Sequence, residues 1–552
     1  MINTTFQKAL LIFSLATVSP FFAQDIDWEK SFGGKHSDYL FDVQPTPDYG
    51  FILAGSSLSK ATGTKTDNGQ GNLDYWIWKM NEKGEEEWQK SFGGEGADLL
   101  QGIRLTKDGG FILAGTSESG KGDIKKDSCR GNEDYWVIKL NAKGGEEWQR
   151  TIGGSGQEQL QCVIPTKDGG FLIGGSSSSM MSPLIRKGEK DAFGKSENSY
   201  GNLDYWVVKL DAKGAVLWQR TLGGIYADQL YSVVETADGG FLLGGTSNSP
   251  ISGSKTAPHY GMGDYYIIKL SENGQTEWEN TFGGEDDDQL ATVLASKDGH
   301  FYLAGYSGSS STGNKMIGNR NGSDFWIIKI DESGEAIWQK TYDTGAIDIL
   351  TSLVENDDLT LLLAGYSQGK PTPAMATGKK AKKEDEGIND YVVFKIKPDG
   401  EEIWSKSIGS SGTDVLRKAI ETRDGGYLLA GTSNSEVKPK GGNRDRMSKV
   451  QGRDDFWVVK LKDNEKKKEK RAPLEAFPNP TQRFTNVIVG HEYTKGTAFV
   501  FDLAGRQLQS FPIKDQTIPV DLGASPEGIY IIEIRTDVDE NAVKIVKTLN
   551  KN

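Results

Sequence analysis

The sequence predicts an all-β protein, namely a seven-bladed β-propeller closed by its own N-terminal strand and followed by a small C-terminal β-sandwich. The first observation behind this prediction is a sequence unit that recurs about every sixty residues. The second is composition, because 69 glycines among 552 residues, beside 13 Trp and 19 Tyr, are typical of many short strands joined by tight turns. The third is a change of composition after residue 461.

Two residue types mark each unit. The string Trp-x-x-(Ser/Thr)-apolar begins at Trp28, Trp88, Trp148, Trp218, Trp278, Trp338 and Trp404. An acidic residue follows each string at the expected start of the next strand, at Asp38, Asp98, Glu158, Asp228, Asp288, Asp348 and Asp414. Most units continue with a Gly-containing turn such as residues 106–110, an apolar run, a loop and a second apolar run such as residues 204–208. Four strand-length segments separated by turns are the pattern of one propeller blade.

The phase of the repeat predicts how the ring closes. The first three segments of the unit occur seven times between Asp38 and Leu461. The fourth segment occurs once before the first complete unit, at residues 28–32, and is missing after the last unit. The N-terminal strand is therefore expected to complete the last blade beside residues 456–461, so that neither strand edge stays open. The alternative is an open array of blades.

The strand order assigns the connections to two faces. The turns between first and second strands, and between third and fourth strands, are short and define the short-turn face. The connections between second and third strands are long, differ from one another in sequence and define the long-loop face: residues 57–73, 118–133, 177–202, 248–263, 308–323, 368–389 and 434–454. Long loops on a rigid scaffold are a common position for a binding site.

The end of the chain has a different pattern. Residues 462–472 are rich in Lys and Glu without apolar periodicity, which predicts a charged linker after the propeller of residues 24–461. Alternating strands and turns over residues 473–552 are enough for a small β-sandwich. The motif residues of this segment are Phe477, Pro478, Asn479, Pro480, Gly505, Gly528, Tyr530, Lys544 and Lys547. With these residues in this order, the segment resembles the type A C-terminal sorting domain of type IX secretion substrates.

The resemblance implies a route and two partners. It implies that the type IX secretion machinery carries the protein across the outer membrane, and that a sortase then removes the tail and releases the protein or attaches it to the cell surface. Residues 1–23, with Lys8 before an apolar run from Ala9 to Val18, have the layout of a secretory signal peptide, and this run is too short to span a bilayer. We therefore expect a secreted or cell-surface protein without a transmembrane segment in its mature chain.

Composition excludes several classes of function. A net charge of -13 argues against nucleic acid as a partner.

Cys129 and Cys162 are expected to be free thiols, with a single bridge between them as the alternative. The four histidines lack metal-ligand spacing, and the sequence contains no nucleophile elbow, phosphate loop or dinucleotide fingerprint. The sequence therefore predicts no catalytic residue, no metal site and no cofactor.

The repeated residues are expected to belong to the scaffold. The tryptophans are expected to pack between blades, and sugar-stacking platforms are the alternative. The acidic residues are expected to accept hydrogen bonds from backbone N–H groups of the preceding turn. The alternative for them is a ring of carboxylates that attracts a cation near the central channel.

The function predicted from these observations is a non-catalytic binding or adhesion module that holds a glycan or protein at the long-loop face. The alternative is a secreted polysaccharide-active hydrolase or lyase with carboxylates on its loops, since such a pair leaves no linear signature. A purely structural role in a surface assembly also stays open.

Overall fold

The structure, a computed structural model, describes residues 25–182, 191–320, 322–345, 347–368, 389–410, 412–435, 445–463 and 471–548. The regular secondary structure of these residues is β-strand throughout, which confirms the predicted all-β class. The predicted signal peptide, most of the predicted linker and most of the sixth long loop lie outside the described residues.

The strands of the repeat region follow one another at regular intervals. They are β1 (Ile26–Phe32), β2 (Asp38–Pro45), β3 (Phe51–Ser57), β4 (Asp74–Met80), β5 (Glu86–Phe92), β6 (Asp98–Leu105), β7 (Phe111–Ser117), β8 (Asp134–Leu140), β9 (Glu146–Ile152), β10 (Glu158–Pro165), β11 (Phe171–Ser177), β12 (Asp204–Leu210), β13 (Val216–Leu222), β14 (Asp228–Glu235), β15 (Phe241–Ser247), β16 (Asp264–Leu270), β17 (Thr276–Phe282), β18 (Asp288–Ala295), β19 (Phe301–Ser307), β20 (Asp324–Ile330), β21 (Ala336–Tyr342), β22 (Ile347–Glu355), β23 (Leu361–Gln368), β24 (Asp390–Ile396), β25 (Glu402–Ile408), β26 (Asp414–Glu421), β27 (Tyr427–Ser433) and β28 (Asp455–Leu461).

These strands form four-stranded antiparallel sheets, as the repeat predicts. Six sheets contain consecutive strands, and we call them sheet 1 (β2–β5), sheet 2 (β6–β9), sheet 3 (β10–β13), sheet 4 (β14–β17), sheet 5 (β18–β21) and sheet 6 (β22–β25). Sheet 7 has the order β1-β28-β27-β26, so its outer strand comes from the N-terminal end of the repeat region. In this pairing Phe32 lies opposite Phe456, and Ile26 lies opposite Leu461.

The first strands of neighbouring sheets touch one another. Each first strand from β2 to β22 contacts the first strand of the next sheet, and β26 of sheet 7 contacts β2 of sheet 1. The bulge in each first strand lies at the same place, for example between Leu40 and Asp42 in β2 and between Leu100 and Gly102 in β6. The seven sheets therefore present equivalent strands to a common interior.

The third strands carry the aromatic contacts between sheets. Every side chain of β4, β8, β12, β16, β20 and β28 is buried, as expected for a strand covered on both faces. Aromatic pairs join one sheet to the next with these ring-centroid distances: Tyr75–Trp136 4.8 Å, Tyr135–Trp206 4.7 Å, Tyr205–Tyr266 5.4 Å, Tyr265–Trp326 4.7 Å, Phe325–Phe394 5.9 Å, Tyr391–Trp457 4.8 Å and Trp76–Phe456 4.7 Å. Such pairs contribute about 0.5–1.5 kcal/mol each beyond their burial.

The C-terminal segment has a core of its own. Its strands are β29 (Leu474–Phe477), β30 (Phe484–Val489), β31 (Gly496–Asp502), β32 (Gln507–Ile513), β33 (Thr517–Asp521), β34 (Gly528–Thr536) and β35 (Glu540–Lys547). They form a three-stranded sheet, β29-β30-β33, and a four-stranded sheet, β32-β31-β34-β35. Buried side chains from both sheets, among them Val487, Val500, Val520 and Ile532, form one hydrophobic cluster.

Removal of residues 25–32 is expected to destabilise the repeat region and to make it self-associate. Burial of Phe32 alone contributes about 1.5–3 kcal/mol, so the loss in free energy of unfolding should exceed about 3 kcal/mol once the strand pairing is also lost. The freed edge of β28 would then be open to pairing with a second chain. Denaturant unfolding and size-exclusion chromatography measure the two effects.

The matched control is Asp27→Ala, which removes only the partly exposed ion pair between Asp27 and Lys462. Its effect should stay below about 1 kcal/mol. A shortened chain that is as stable as the parent and monomeric would contradict the expectation.

Candidate functional site at the long-loop face

An acidic residue starts the first strand of each sheet or stands next to its start, in an equivalent position in all seven sheets. Each of these residues is fully buried. Each carboxylate accepts a hydrogen bond from the backbone N–H four residues earlier, in the pairs Gly34–Asp38 (2.7 Å), Gly94–Asp98 (2.8 Å), Gly154–Glu158 (2.7 Å), Gly224–Asp228 (2.6 Å), Gly284–Asp288 (2.7 Å), Thr344–Asp348 (2.7 Å) and Ser410–Asp414 (2.8 Å). The carboxylates therefore hold the turn that joins each fourth strand to the next first strand.

Serine hydroxyls complete the coordination of these carboxylates. In sheet 1, Ser57 and Ser59 both donate to Asp38. Ser119 donates to Asp98 over 2.8 Å, and Ser249 donates to Asp228 over 2.9 Å. A Ser-x-Ser pattern at the end of the second strand is the sequence signal for this contact, and it was missed because serine is common in loops.

A second acidic residue, at the start of each third strand, lies close to the first-strand acid of the next sheet. A Cβ atom at Gly33 would lie 2.5 Å from Asp455 Oδ1 and 2.8 Å from Asp38 Oδ2, and a Cβ atom at Gly153 would lie 2.0 Å from Asp134 Oδ1 and 2.8 Å from Glu158 Oε2. A Cβ atom at such distances would displace a carboxylate, so glycine suits this position. The Gly-Gly turns are therefore the spacers of carboxylate pairs at the sheet junctions.

Burial dominates the electrostatics of these pairs. Burial is the largest cause that raises the pKa of Asp74 and of Asp204 to about 6, and the charge of the neighbouring first-strand acid contributes to this rise. It raises the pKa of Asp390 to about 7, again with a contribution from the neighbouring acid, Asp414. Two buried carboxyl groups close together do not both ionise readily, so the third-strand Asp of such a pair holds its proton to a higher pH than a solvated Asp does.

Buried lysines lie beside the carboxylate pairs. They are Lys65, Lys125, Lys195, Lys255 and Lys315, each at most 2% exposed and each nine residues before a third-strand Asp. Their ammonium groups lie over third-strand aromatic rings at these distances: Lys65–Trp76 5.3 Å, Lys125–Trp136 5.4 Å, Lys195–Trp206 5.9 Å, Lys255–Tyr266 5.1 Å and Lys315–Trp326 5.6 Å. Arg446 has the same spacing in sheet 7 and donates to Asp455 over 2.9 Å. Cation–π attraction and the nearby carboxylates compensate for the burial of these charges.

The long loops therefore share a frame, by which we mean a buried basic residue and a third-strand Asp at a fixed spacing. Their other residues differ from loop to loop. The spacing of nine residues between a basic residue and the third-strand Asp recurs in six of the seven loops. The third-strand Asp also closes each of these loops, for example by accepting from the Gln70 N–H over 2.7 Å in sheet 1 and from the Tyr260 N–H over 2.8 Å in sheet 4. The loops differ chiefly in the exposed side chains that the frame carries.

The sequence-predicted tryptophans of the fourth strands pack between sheets, and six of the seven contact a glycine or an aromatic residue of the next sheet. The ring is close to a glycine or an aromatic residue of the next sheet in the pairs Trp28–Gly84, Trp88–Gly144, Trp148–Gly214, Trp218–Gly274, Trp278–Gly334 and Trp404–Tyr427. Trp338 instead lies 5.9 Å from Tyr302 of its own sheet. Sheet 6 has Leu361 where five other sheets have Phe and sheet 7 has Tyr, so Trp338 lacks the aromatic partner.

The junction between sheets 5 and 6 departs from the repeat. Asp343 stands where five other junctions have the first glycine of a Gly-Gly pair, so the departure adds a carboxylate. Asp324, Asp343 and Asp348 each place one carboxylate oxygen within 4.8 Å of the others. Asp324 and Asp343 also line a cavity of about 470 Å³ with Arg320 and Tyr342. Burial raises the pKa of Asp343, with Asp348 as the next cause, and raises the pKa of Asp324 to about 7.

Both cysteines are free thiols, as expected. Cys162 is buried, and burial raises the pKa of its thiol to about 12. Cys129 is partly buried and donates to the Ser117 carbonyl.

The sorting-domain motif residues come together at one end of the C-terminal sandwich. Asn479 donates to the Lys544 carbonyl over 2.8 Å and accepts from the Val546 N–H over 2.9 Å, so it ties the Phe477–Pro480 opening to the basic last strand. Lys547 is 4% exposed, and its ammonium donates to the Leu522 carbonyl over 2.6 Å.

The remaining motif residues shape turns of the same sandwich. Tyr530 is buried and donates to the Pro526 carbonyl over 2.6 Å. Gly505 has a φ of +79°, which suits glycine at the turn after Asp502. Gly528 begins β34.

The buried carboxyls predict an unusual dependence of stability on pH. Because Asp74, Asp204 and Asp390 hold protons more tightly in the folded chain than in the unfolded chain, the free energy of unfolding should fall as pH rises from about 4 to about 7. Asp168 acts in the opposite direction, since its pKa is lowered to about 2 and its contribution is lost in acid. The thermal midpoint should therefore be higher near pH 5 than near pH 8.

Asp324→Asn should flatten this fall because it removes one ionisable partner of a buried cluster. Asp123→Asn, at an exposed loop position, is the control and should leave the profile unchanged. A thermal midpoint that rises steadily from about pH 5 to about pH 8 would show that the carboxyls are not raised in pKa.

Comparisons with known proteins identify the C-terminal segment. Residues 475–548 match the family described as "Secretion system C-terminal sorting domain". The regulatory protein FlaEY of Caulobacter vibrioides is 23% identical over 190 residues, which are 33% of this chain and 19% of FlaEY. The chain thus spans about a fifth of the length of this relative.

Solved structures give weaker likenesses. The hydrazine synthase of Kuenenia stuttgartiensis has a TM-score of 0.32 and 10% identity, over 60% of this chain and 75% of that one. PorZ, a surface component of the type IX secretion system of Porphyromonas gingivalis, has a TM-score of 0.21 and 11% identity, over 92% of this chain and 81% of that one. The cobalt-substituted ACO of Synechocystis has a TM-score of 0.32 and 10% identity, over 74% of this chain and 88% of that one.

The family match covers the segment in which the structure joins the motif residues Asn479 and Lys544. In the described part of the chain, no helix has the length and hydropathy needed to cross a membrane. The C-terminal segment is a type IX secretion sorting domain, and the protein is exported by that route to the cell surface or the medium.

Proposed function

We propose that this exported protein is a non-catalytic binding module, in which residues 24–461 form a closed seven-bladed propeller and the long-loop face holds a glycan or protein. Closure is supported by β1 in sheet 7, by the contact between β26 and β2, and by the Trp76–Phe456 pair. Residues 473–552 then direct export and interact with the secretion machinery.

One observation carries the binding proposal: exposed apolar side chains concentrate on the long-loop side of sheets 3 to 5. We call this set the apolar patch: Tyr200, Ile225, Tyr226, Ile251, Tyr260, Met262, Met316 and Ile317. Tyr226 is 52% exposed and Met316 is 74% exposed. Large exposed apolar surface on a soluble protein usually marks a site of interaction.

The members of the patch adjoin one another across loop boundaries. A Cβ atom at Gly201 would lie 2.5 Å from the Tyr226 carbonyl oxygen, so the loop that carries Tyr200 rests on the turn that carries Tyr226. A Cβ atom at Gly253 would lie 2.9 Å from Tyr200 Cγ, which places the next loop directly beside that ring. The buried lysines anchor these loops to the third strands. A ligand would therefore bind loops that are already ordered, and the entropy cost of ordering them would be small.

The proposal predicts that binding depends on the tyrosines of the patch. Tyr200→Ala together with Tyr226→Ala should weaken binding of a captured glycan or protein about tenfold or more, because stacking rings are lost. Arrays of surface polysaccharides and proteins find the ligand, and surface plasmon resonance measures the change.

The matched control is Leu217→Ala with Ile337→Ala, which removes exposed apolar side chains from fourth strands outside the long loops. Binding should be unchanged in this variant. Equal losses in both variants, or none in the tyrosine variant, would refute the patch as the binding site.

A second candidate function, hydrolysis or elimination on a polysaccharide, is favoured by the carboxylates at the cavity of sheets 5 and 6. Asp324 and Asp343 have buried oxygens that lack hydrogen-bond partners among the described residues. Product formation that Asp343→Gly abolishes, while the thermal midpoint is retained, would select this function over simple binding. Glycine is the residue at all six other equivalent junctions, so this variant should fold.

A further inference from the structure

The sorting domain lies against the short-turn face of sheets 1 and 2. Lys83 of sheet 1 forms an ion pair of 2.6 Å with Glu492. Pro478 of the sorting motif covers a turn of sheet 2, since a Cβ atom at Gly109 would lie 2.8 Å from Pro478 Cδ. Beside these contacts a cavity of about 670 Å³ is lined by residues of both parts, among them Glu82. A contact with this many polar and charged residues is typical of a reversible interface.

Tyr49 occupies a position of the short-turn face that glycine fills in most other sheets. Its φ is +64°, in the left-handed region. The equivalent residues are Gly109, Gly169, Gly239, Gly299 and Gly425, with Leu359 in sheet 6. A side chain in this region carries backbone strain that glycine avoids. The repeat therefore does not account for the tyrosine.

The ring of Tyr49 joins the two parts of the protein. The guanidinium of Arg471, at the start of the described tail, lies 4.3 Å from the ring centroid, and that of Arg423 in sheet 7 lies 4.1 Å from it. The Tyr49 hydroxyl donates to Glu475 over 3.1 Å. Glu475 also accepts from Arg423 over 2.7 Å, so the carboxylate compensates the charge of one of the two cations beside the ring.

Two side chains of sheet 1 contact the Arg471 guanidinium, one at its edge and one at its face. Glu82 of sheet 1 forms an ion pair with its guanidinium, while the Tyr49 ring lies over the same group. A planar guanidinium can meet a carboxylate at its edge and an aromatic ring at its face, which an ammonium cannot do as well. Thr517 adds a weaker hydrogen bond to Asp48, over 3.4 Å.

We propose that the short-turn face carries a docking site for the sorting domain of the same chain, with Tyr49 and Glu82 recognising Arg471. Docking holds the domain on the face opposite the long loops. The long-loop face then stays accessible while the secretion machinery binds the sorting domain.

The test uses the Lys83–Glu492 ion pair of the full-length chain as its reporter. A water-soluble carbodiimide joins ammonium and carboxylate groups in direct contact, and peptide mass spectrometry measures the yield. The link should form in the parent chain and fall about tenfold in Tyr49→Gly and in Arg471→Ala, which corresponds to about 1.4 kcal/mol. Lys126–Glu146, an ion pair within sheet 2, is the internal reference and should keep its yield.

Leu359→Gly is the matched control, because it makes the same left-handed substitution in sheet 6, where no described contact to the tail exists. The Lys83–Glu492 link should persist in this variant. Parental yields in both Tyr49→Gly and Arg471→Ala would overturn the proposal, as would absence of the link in a parent chain that forms Lys126–Glu146. If the yield of the Lys83–Glu492 link fell as much in Leu359→Gly as in Tyr49→Gly, the loss would come from the change in turn conformation. That result would also overturn the proposal.

Discussion

The carboxylate pair at each sheet junction is the constraint on which the rest of the repeat region depends. The first-strand acid holds the turn from the preceding fourth strand, and the third-strand Asp of the preceding sheet holds its own long loop. Both carboxylates approach the same glycine, which explains why Gly-Gly recurs where the junctions are regular. The raised pKa of third-strand carboxyls such as Asp74 and Asp204, and the buried basic residue beside six of the seven pairs, limit the uncompensated charge at these junctions.

In this arrangement the buried residues hold the scaffold rigid, and the exposed loop side chains are left for ligand recognition. Aromatic pairs such as Tyr75–Trp136 lock neighbouring sheets together, while the loop lysines fix the backbone of the long loops. The frame leaves side chains such as Tyr200 free to differ between loops. On the opposite face the turns are short and similar, and Tyr49 stands out there because it departs from the residue that the turn favours.

The sequence predicted the elements that recur with a fixed period. The Trp string and the acids of the first strands identified the strands, the sheets and the place of β1, because periodic residues report the common scaffold. The buried lysines were not recognised, although their spacing of nine residues before Asp74 and its equivalents is visible in the sequence, because lysine in a polar loop is normally solvated. Asp343 departs from the glycine of the repeat, and its proximity to Asp324 follows only from the packing of two sheets. The contact of Tyr49 with Arg471 joins residues far apart in the chain, so no local pattern could predict it.

The most direct test of this account is infrared spectroscopy of the chain labelled with carbon-13 at aspartate carboxyls. The C=O band of protonated, labelled Asp should persist in the folded chain at about pH 6 and should vanish when the chain is unfolded at the same pH, since a solvated Asp is ionised there. Absence of this band from the folded chain at about pH 6 would show that the junction carboxylates are charged and would contradict the account.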